Sequence, residues 1–308
     1  MPDRTSLLEI TAQLLRLSEP HQPFDWIRDA VGFYDAYFFA YAAAATLYLP
    51  LLFGSVRVMD KRAAFEIPKT VLILWNLFWS TFSGIVFWYL IAALPGIRAA
   101  GLHTSICTDQ AIEVSHDAMR ARFLFVAAKL PEMGDTAFLV LKKRKVDVLH
   151  YWHHLTVMVF CWQIVYLKFQ DEGGDGTFFA LMNSFIHWVM YGYYAATTYD
   201  KRFRVEAFAQ CLTTAQILQM ATGMAILVYR TISCGSVYVG NLAFGWIIYM
   251  SYFGLFLKYY FERYSGKKKS GGRKDTNGHN GGSDKKVTNG HNGGSDIKAT
   301  NGHNGKSD

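Results

Sequence analysis

The sequence is poor in several things at once. From Gly266 to Asp308 it has no aromatic residue, and one alanine, Val287 and Ile297 are its only aliphatic side chains. Such a segment cannot bury enough apolar surface to offset the entropy of ordering it, which excludes a packed core there and predicts a disordered tail. The preceding 265 residues have almost no net charge, 22 Lys/Arg against 20 Asp/Glu, because nine bases and four acids of the tail hold five of the formal +7. The first 28 residues lack a charged-then-apolar start with a cleavage site, so no signal peptide is expected. A mean hydropathy of only +0.10 therefore hides a segregated chain, an apolar body and a basic, glycine-rich tail, rather than one uniform soluble domain.

The tail is a twelve-residue repeat: Thr276–Asp284 reads TNGHNGGSD, Thr288–Asp296 repeats it, and Thr300–Asp308 reads TNGHNGKSD. A solenoid needs an apolar face in each unit, and this repeat has none. His279, His291 and His303 are too widely spaced in such a segment to preorganise a metal site. The reading is an N-terminal segment at 1–30, a membrane domain at 31–264 and the basic tail at 265–308.

A spanning helix needs roughly 20 mostly apolar residues. Seven candidates lie near 33–56, 70–94, 123–141, 148–167, 177–198, 207–229 and 237–260. The fold class expected is an all-α integral membrane protein of seven transmembrane helices. The loop charges orient it. One set of loops carries Arg57, Lys61, Arg62 and Lys69, then Lys142 to Lys145, then Lys201, Arg202 and Arg204, and then the tail. The opposite set carries Arg98, Arg120, Arg122, Lys168 and Arg230. The positive-inside rule makes the first set cytosolic, so seven spans put the N-terminus on the lumenal side and the C-terminus in the cytosol. Of four cysteines, Cys161 and Cys211 fall within spans as small apolar fillers, whereas Cys107 and Cys234 fall in non-cytosolic loops and can pair if that side is oxidising.

Polar residues inside a bilayer are costly and mark function. In the third span Lys129, Glu132 and Asp135 recur at i, i+3 and i+6 with Thr136 beside them, within about a 120° arc, and the bland reading is an internal ion-pair network. Pro131 and Gly134 between them loosen the turn. The fourth span opens with His150, Tyr151, Trp152, His153 and His154, three imidazoles on one face beside the basic run at 142–145. Three histidines in five residues are hard to explain as packing alone. The fifth span carries Asn183, His187, Met190, Tyr191 and Tyr194 as one stripe, and the sixth carries Thr213, Gln216 and Gln219, where glutamine is also ordinary interhelical glue.

Four polar stripes converge most economically on a shared interior. One chemistry for it is a histidine-box di-iron desaturase or oxygenase of fatty acids, but such enzymes need about eight histidines, and only four of the body's seven lie in spans. Another is acyl transfer, with an imidazole as nucleophile or base, an apolar bundle for the acyl tail, and the basic loop with Lys143 and Arg144 for the phosphates of coenzyme A. A seven-helix receptor or transporter fits the span count but gives no reason for the histidines.

The motifs KLPEMGDT (129–136), HYWHH (150–154), NSFIHWVMYGYY (183–194) and TTAQILQ (213–219), in this order on consecutive spans, resemble the ELO family of very-long-chain fatty acid elongases, the 3-ketoacyl-CoA synthases of the endoplasmic reticulum. The resemblance covers about residues 30–262. The tail repeat is not a feature of that family, and the dilysine retrieval signal often found there is incomplete, with Lys306 alone in a suitable position. The resemblance implies that spans two to seven form an inverted barrel around an acyl tunnel. It implies condensation of long-chain acyl-CoA with malonyl-CoA to 3-ketoacyl-CoA, with loss of CO₂ and CoA, through an acyl-imidazole on His153. His150, His154 and His187 would join the catalysis. Lys129, Glu132, Asp135, Asn183, Tyr191 and Gln216 would line the substrate site; Asn183 and Gln216 would donate to an oxyanion, and Glu132 and Asp135 would fix histidine tautomers. No metal or other cofactor is needed. The expected partners are membrane lipid and the 3-ketoacyl-CoA reductase, dehydratase and enoyl-CoA reductase of the elongation cycle. A homo-oligomer is allowed, and no nucleic acid is expected. The residues around the histidines resemble the branch acting on saturated and monounsaturated chains.

Overall fold

The computed structural model describes residues 30–108, 115–167, 174–235 and 238–265. The N-terminal segment and the repeat tail lie outside the described residues. Among those residues there is no strand. The helices are α1 (Gly32–Ala36), α2 (Phe38–Asp60), α3 (Lys69–Ile91), α4 (Leu94–Cys107), α5 (His116–Ala127), α6 (Gly134–Leu141), α7 (Val148–Leu167), α8 (Asp175–Tyr199), α9 (Glu206–Ser233) and α10 (Val239–Tyr260), the last running on as a short π-helical turn, Phe261–Ser265. Four of these, α2, α3, α9 and α10 with its extension, are long and apolar enough to cross a membrane. By length and composition the chain is a multi-pass membrane protein. Helices α7 and α8, of 20 and 25 residues, have spanning length but carry the histidines and Asn183 and are not among the four.

The third apolar stretch departs from a single helix over 123–141. It begins earlier, at His116, where Ser115 Oγ accepts from Ala118 N at 3.2 Å and satisfies one of the free amides of the helix start. It then breaks: α5 ends at Ala127, a 3₁₀ turn spans Pro131–Met133, and α6 restarts at Gly134. Pro131 has no N–H to give the carbonyl four residues back, that of Ala127, and its ring crowds that carbonyl. Tyr41 of α2 supplies the missing donor, its hydroxyl reaching Ala127 O at 3.2 Å. A second departure is α4, which occupies a stretch expected to be loop. It is kinked at Gly101, whose φ of 79° suits a residue without a Cβ, and Ser105 Oγ bonds back to Gly101 O at 2.9 Å.

Helix α3 lies close along α8 because small residues stand at the points of contact, Ser80 and Gly84 on α3 and Gly192 on α8. A Cβ added to Gly84 would sit 3.2 Å from the Trp188 ring, and one added to Gly192 would sit 3.2 Å from Ser80 Oγ. Ser80 Oγ uses the close approach to donate to Trp188 O at 2.8 Å. The bundle has two unlike ends. At one, Phe65 N bonds Leu141 O, joining the α2–α3 and α6–α7 connections that carry the basic runs. At the other, Gly174 N bonds Ile106 O, and Cys107 is disulfide-bonded to Cys234 with a Cα–Cα distance of 5.4 Å.

At this second end two charges assigned to loops prove to be interior. Arg230 belongs to α9, is 3% exposed, and is ion-paired with Asp175 of α8. Arg122 belongs to α5 and is 6% exposed. Their removal from the loop inventory sharpens the charge contrast between the two ends.

Candidate functional site

The first turn of α7 gathers the three imidazoles. Positions 150, 153 and 154 share a helical face, and the rings of His150 and His154 lie 4.4 Å apart between centroids, those of His153 and His154 5.6 Å apart. Each outer ring is held differently. His150 Nε2 shares a proton with Thr136 Oγ1 at 2.9 Å, and that hydroxyl meets Tyr48 OH at 2.8 Å, so a chain runs from α7 through α6 to α2. His153 packs edge-on against Tyr252 of α10 at 4.8 Å, and the Tyr252 hydroxyl bonds both Thr156 Oγ1 at 2.6 Å and the His153 carbonyl at 3.1 Å. The Nδ1 atom of His153 is buried and has no hydrogen-bond partner.

A second cluster joins α5, α8 and the 3₁₀ turn. Lys129 Nζ donates to Glu132 Oε1 at 2.7 Å, each residue only 3% exposed, and His187 Nδ1 stands 4.0 Å from Glu132 Oε2. A buried charge pair is tolerable only when both partners stay matched, and Lys129 gains a further contact over the Phe125 ring, 4.2 Å from its centroid. A narrow gap adjoins this cluster and is bordered by Asn183, Ser184 and Ser83 as well as by Lys129, Glu132 and His187. The Ser184 hydroxyl is buried and unpaired.

Asp135 stands apart from the imidazoles. Its Oδ1 accepts the Trp75 indole N–H and its Oδ2 the Tyr191 hydroxyl, both at 2.6 Å. The carboxylate therefore ties α6 to α3 and α8. Gly134 makes this possible, since a Cβ there would come within 2.7 Å of the Trp75 ring. Lys143 has φ 51° at the end of α6, with Arg144 N bonded to Leu139 O and Lys143 N to Val140 O, a Schellman-type ending normally given to glycine. Its ammonium reaches the carbonyls of Asp60 and Arg62 and fastens the end of α2. Arg144 is exposed beside it. Gln216 turns its amide toward Met190 Sδ at 3.6 Å.

A larger void, about 70 Å³, starts at His153. Along α7 it is bordered by His153, Val157, Phe160, Cys161 and Ile164, a continuous helical stripe about 16 Å long at 1.5 Å per residue. Phe125, Phe179, Met220 and Ile248 make the opposing walls apolar. Arg122 and Gly176 border it toward the disulfide end. Asn183 borders both the gap and the void. Among the described residues no group of three or more His, Cys, Asp or Glu side chains is arranged to hold a metal ion.

Four residues of this arrangement were not singled out in the sequence: Tyr48, Trp75, Tyr252 and Ser184. Their common signal is a polar tip on an otherwise apolar span, which in a low-dielectric interior calls for a partner.

Residues 33–272 match the sequence profile of ELO, the GNS1/SUR4 family. The chain belongs to the ELO family. Among its ELO relatives, Very long chain fatty acid elongase 6 of Gallus gallus is 34% identical over 255 residues, covering 80% of this chain and 90% of that protein. The protein of the same name from Mus musculus is 36% identical over 236 residues, covering 73% and 84% respectively. Fatty acid elongase 3 of Trypanosoma brucei brucei is 33% identical over 223 residues, covering 62% and 72%. The ELO match takes in both the histidine face of α7 and the cavity beneath it.

Proposed function

We propose that this ELO protein is a fatty acid elongase that condenses long-chain acyl-CoA with malonyl-CoA to 3-ketoacyl-CoA, the first step of fatty acid elongation, as an acyltransferase. The observation that carries the reading is the unpartnered Nδ1 of His153, beside an apolar cavity whose α7 wall runs about 16 Å along the helix. A nitrogen with no competing donor, next to room for an acyl tail, is what a nucleophile toward a thioester requires.

In the first half-reaction the His153 nitrogen attacks the thioester carbonyl, the C–S bond breaks and CoA leaves as its thiol, giving an acyl-imidazole. His154, whose ring lies between those of His150 and His153, carries the proton; His150, fixed by Thr136 and Tyr48, holds His154 in place. In the second, malonyl-CoA loses CO₂, the resulting enolate carbon attacks the acyl carbonyl, and the C–N bond breaks to restore His153. We assign the oxyanion donor to Asn183, which borders both the gap and the void, and the orientation of His187 to Glu132. Gln216 faces Met190 and serves the site less directly. Tyr191 and Asp135 hold the walls of the site together, and Lys143 holds the helix ends, leaving Arg144 and its basic neighbours for the CoA phosphates. No metal or other cofactor takes part.

The same reading has seven spans, the last six enclosing the tunnel, in the endoplasmic reticulum membrane, with a lumenal N-terminus and a cytosolic C-terminus. The contrast between basic and disulfide-bonded ends supports this orientation. The partners are the reductase, dehydratase and enoyl reductase that complete the cycle, and the substrates are long saturated and monounsaturated chains; the names of the relatives support fatty acid elongation.

The test is incubation of membranes with labelled malonyl-CoA and an acyl-CoA series. Label is expected in 3-ketoacyl-CoA, and His153→Ala is expected to abolish it while the protein still folds. A mass spectrum of the protein incubated without malonyl-CoA should show an acyl adduct on His153. Undiminished condensation by His153→Ala removes the nucleophile assignment.

A further inference from the structure

Gly223 of α9 faces α10, and a Cβ built on it would collide with the Cδ1–Cε1 edge of the Tyr249 ring, nearer than any van der Waals contact allows. The ring is thus seated in a notch that only glycine provides. Tyr249 borders the large cavity and packs directly against Phe179, with ring centroids 4.8 Å apart and planes tilted by 39°. Phe179 borders the cavity as well. Tyr249 lies one turn further from the histidine end than Tyr252, the residue packed against His153, about 4.5 Å along α10. With the α9 backbone behind it, a ring pushed away from Gly223 presses toward Phe179 and the cavity that both rings border.

We propose that Gly223 and Tyr249 together determine the acyl-chain length this protein accepts: the ring is the movable wall of the cavity, and the glycine notch keeps it withdrawn. The inference rests on the reading of the cavity as the acyl site. A glycine serving helix packing alone would predict something different. Filling it would then weaken every substrate alike, whereas a wall displaced into the cavity discriminates by length. Methylene groups that no longer fit are penalised individually, while a chain ending above the obstruction is untouched.

The experiment compares Gly223→Ala, Tyr249→Leu and the double variant with the unmutated protein. Two quantities are read over a series of saturated acyl-CoAs of increasing length: binding to the purified protein without malonyl-CoA, and condensation with labelled malonyl-CoA. Gly223→Ala is expected to lower the ratio of long-chain to short-chain substrates by roughly tenfold or more, the discrimination a hydrophobic pocket exerts over a methylene that does not fit. Tyr249→Leu is expected to raise that ratio, and the double variant to restore it to at least the starting value. Should Gly223→Ala fail to fold, Tyr249→Leu decides alone. A ratio unmoved by both single variants, or lowered by Tyr249→Leu, overturns the proposal. A ratio that moves in binding while no 3-ketoacyl-CoA forms even in the unmutated protein retains the length determinant and removes the condensation reading. Condensation with an unmoved ratio does the reverse, and failure of both binding and condensation removes both.

Discussion

At the scale of single residues, the site separates groups that do chemistry from groups that hold them. Asp135 illustrates the second kind: both oxygens are engaged, by an indole N–H and a phenol O–H, each at 2.6 Å. Tyr191→Phe removes one donor from a buried carboxylate and is expected to cost about 1.5–3 kcal/mol of stability, read as a lower thermal midpoint of the detergent-solubilised protein. An unchanged midpoint with lost condensation would instead make Tyr191 part of the reaction. The histidines were legible in sequence because their relation is local, three residues on one helical face. The partners of Asp135 were not, because Trp75 and Tyr191 lie 60 and 56 positions away. Trp75 also sits in a stretch that reads only as apolar. Lys143 shows the converse: a lysine in a basic run suggests phosphate, yet its backbone and ammonium are engaged in closing helix ends.

At the scale of elements, hydropathy located the long helices, and the departures have local causes that hydropathy averages away. Pro131 divides the third apolar stretch, and Gly101 with Arg98 and His103 disguises α4 as loop. The division is stabilised from outside the helix it breaks, by the Tyr41 hydroxyl on Ala127 O. Tyr41→Phe is therefore expected to lower stability by about 1–3 kcal/mol, the cost of a buried carbonyl left unpaired. Hydrogen exchange should rise at amides around the Ala127–Gly134 break more than elsewhere in α5. Equal exchange there in both proteins would show that the carbonyl finds another donor. The residues that let α3 and α8 approach, Ser80, Gly84 and Gly192, were present in the sequence, but that Gly84 receives the Trp188 ring and Gly192 faces Ser80 is a tertiary fact.

At the scale of the whole molecule, the chain folds as a helical bundle with one end rich in basic loops and the other closed by the Cys107–Cys234 bond, 127 positions apart. Cys107→Ser with Cys234→Ser opens that long loop and is expected to lower stability by about 2–4 kcal/mol. Reductant should lower the thermal midpoint of the unmutated protein and leave the double variant unaffected; equal sensitivity in both would place the effect elsewhere. The pairing of loop cysteines and the charge contrast were both readable from loop composition. The buried Asp175–Arg230 pair was not, because Arg230 sits beyond the apolar run and only the length of α9 brings it inside.

A staple at one end alone gives the bundle a direction of compliance. Separation of α4 from α9 is limited at the disulfide end by a cross-link, while among the described residues no disulfide joins the helices around the histidines. On the proposed reading of the cavity as the acyl site, thermal breathing is expected to be widest at the histidine end and narrowest at the stapled end, as in a tweezer whose pivot is the disulfide.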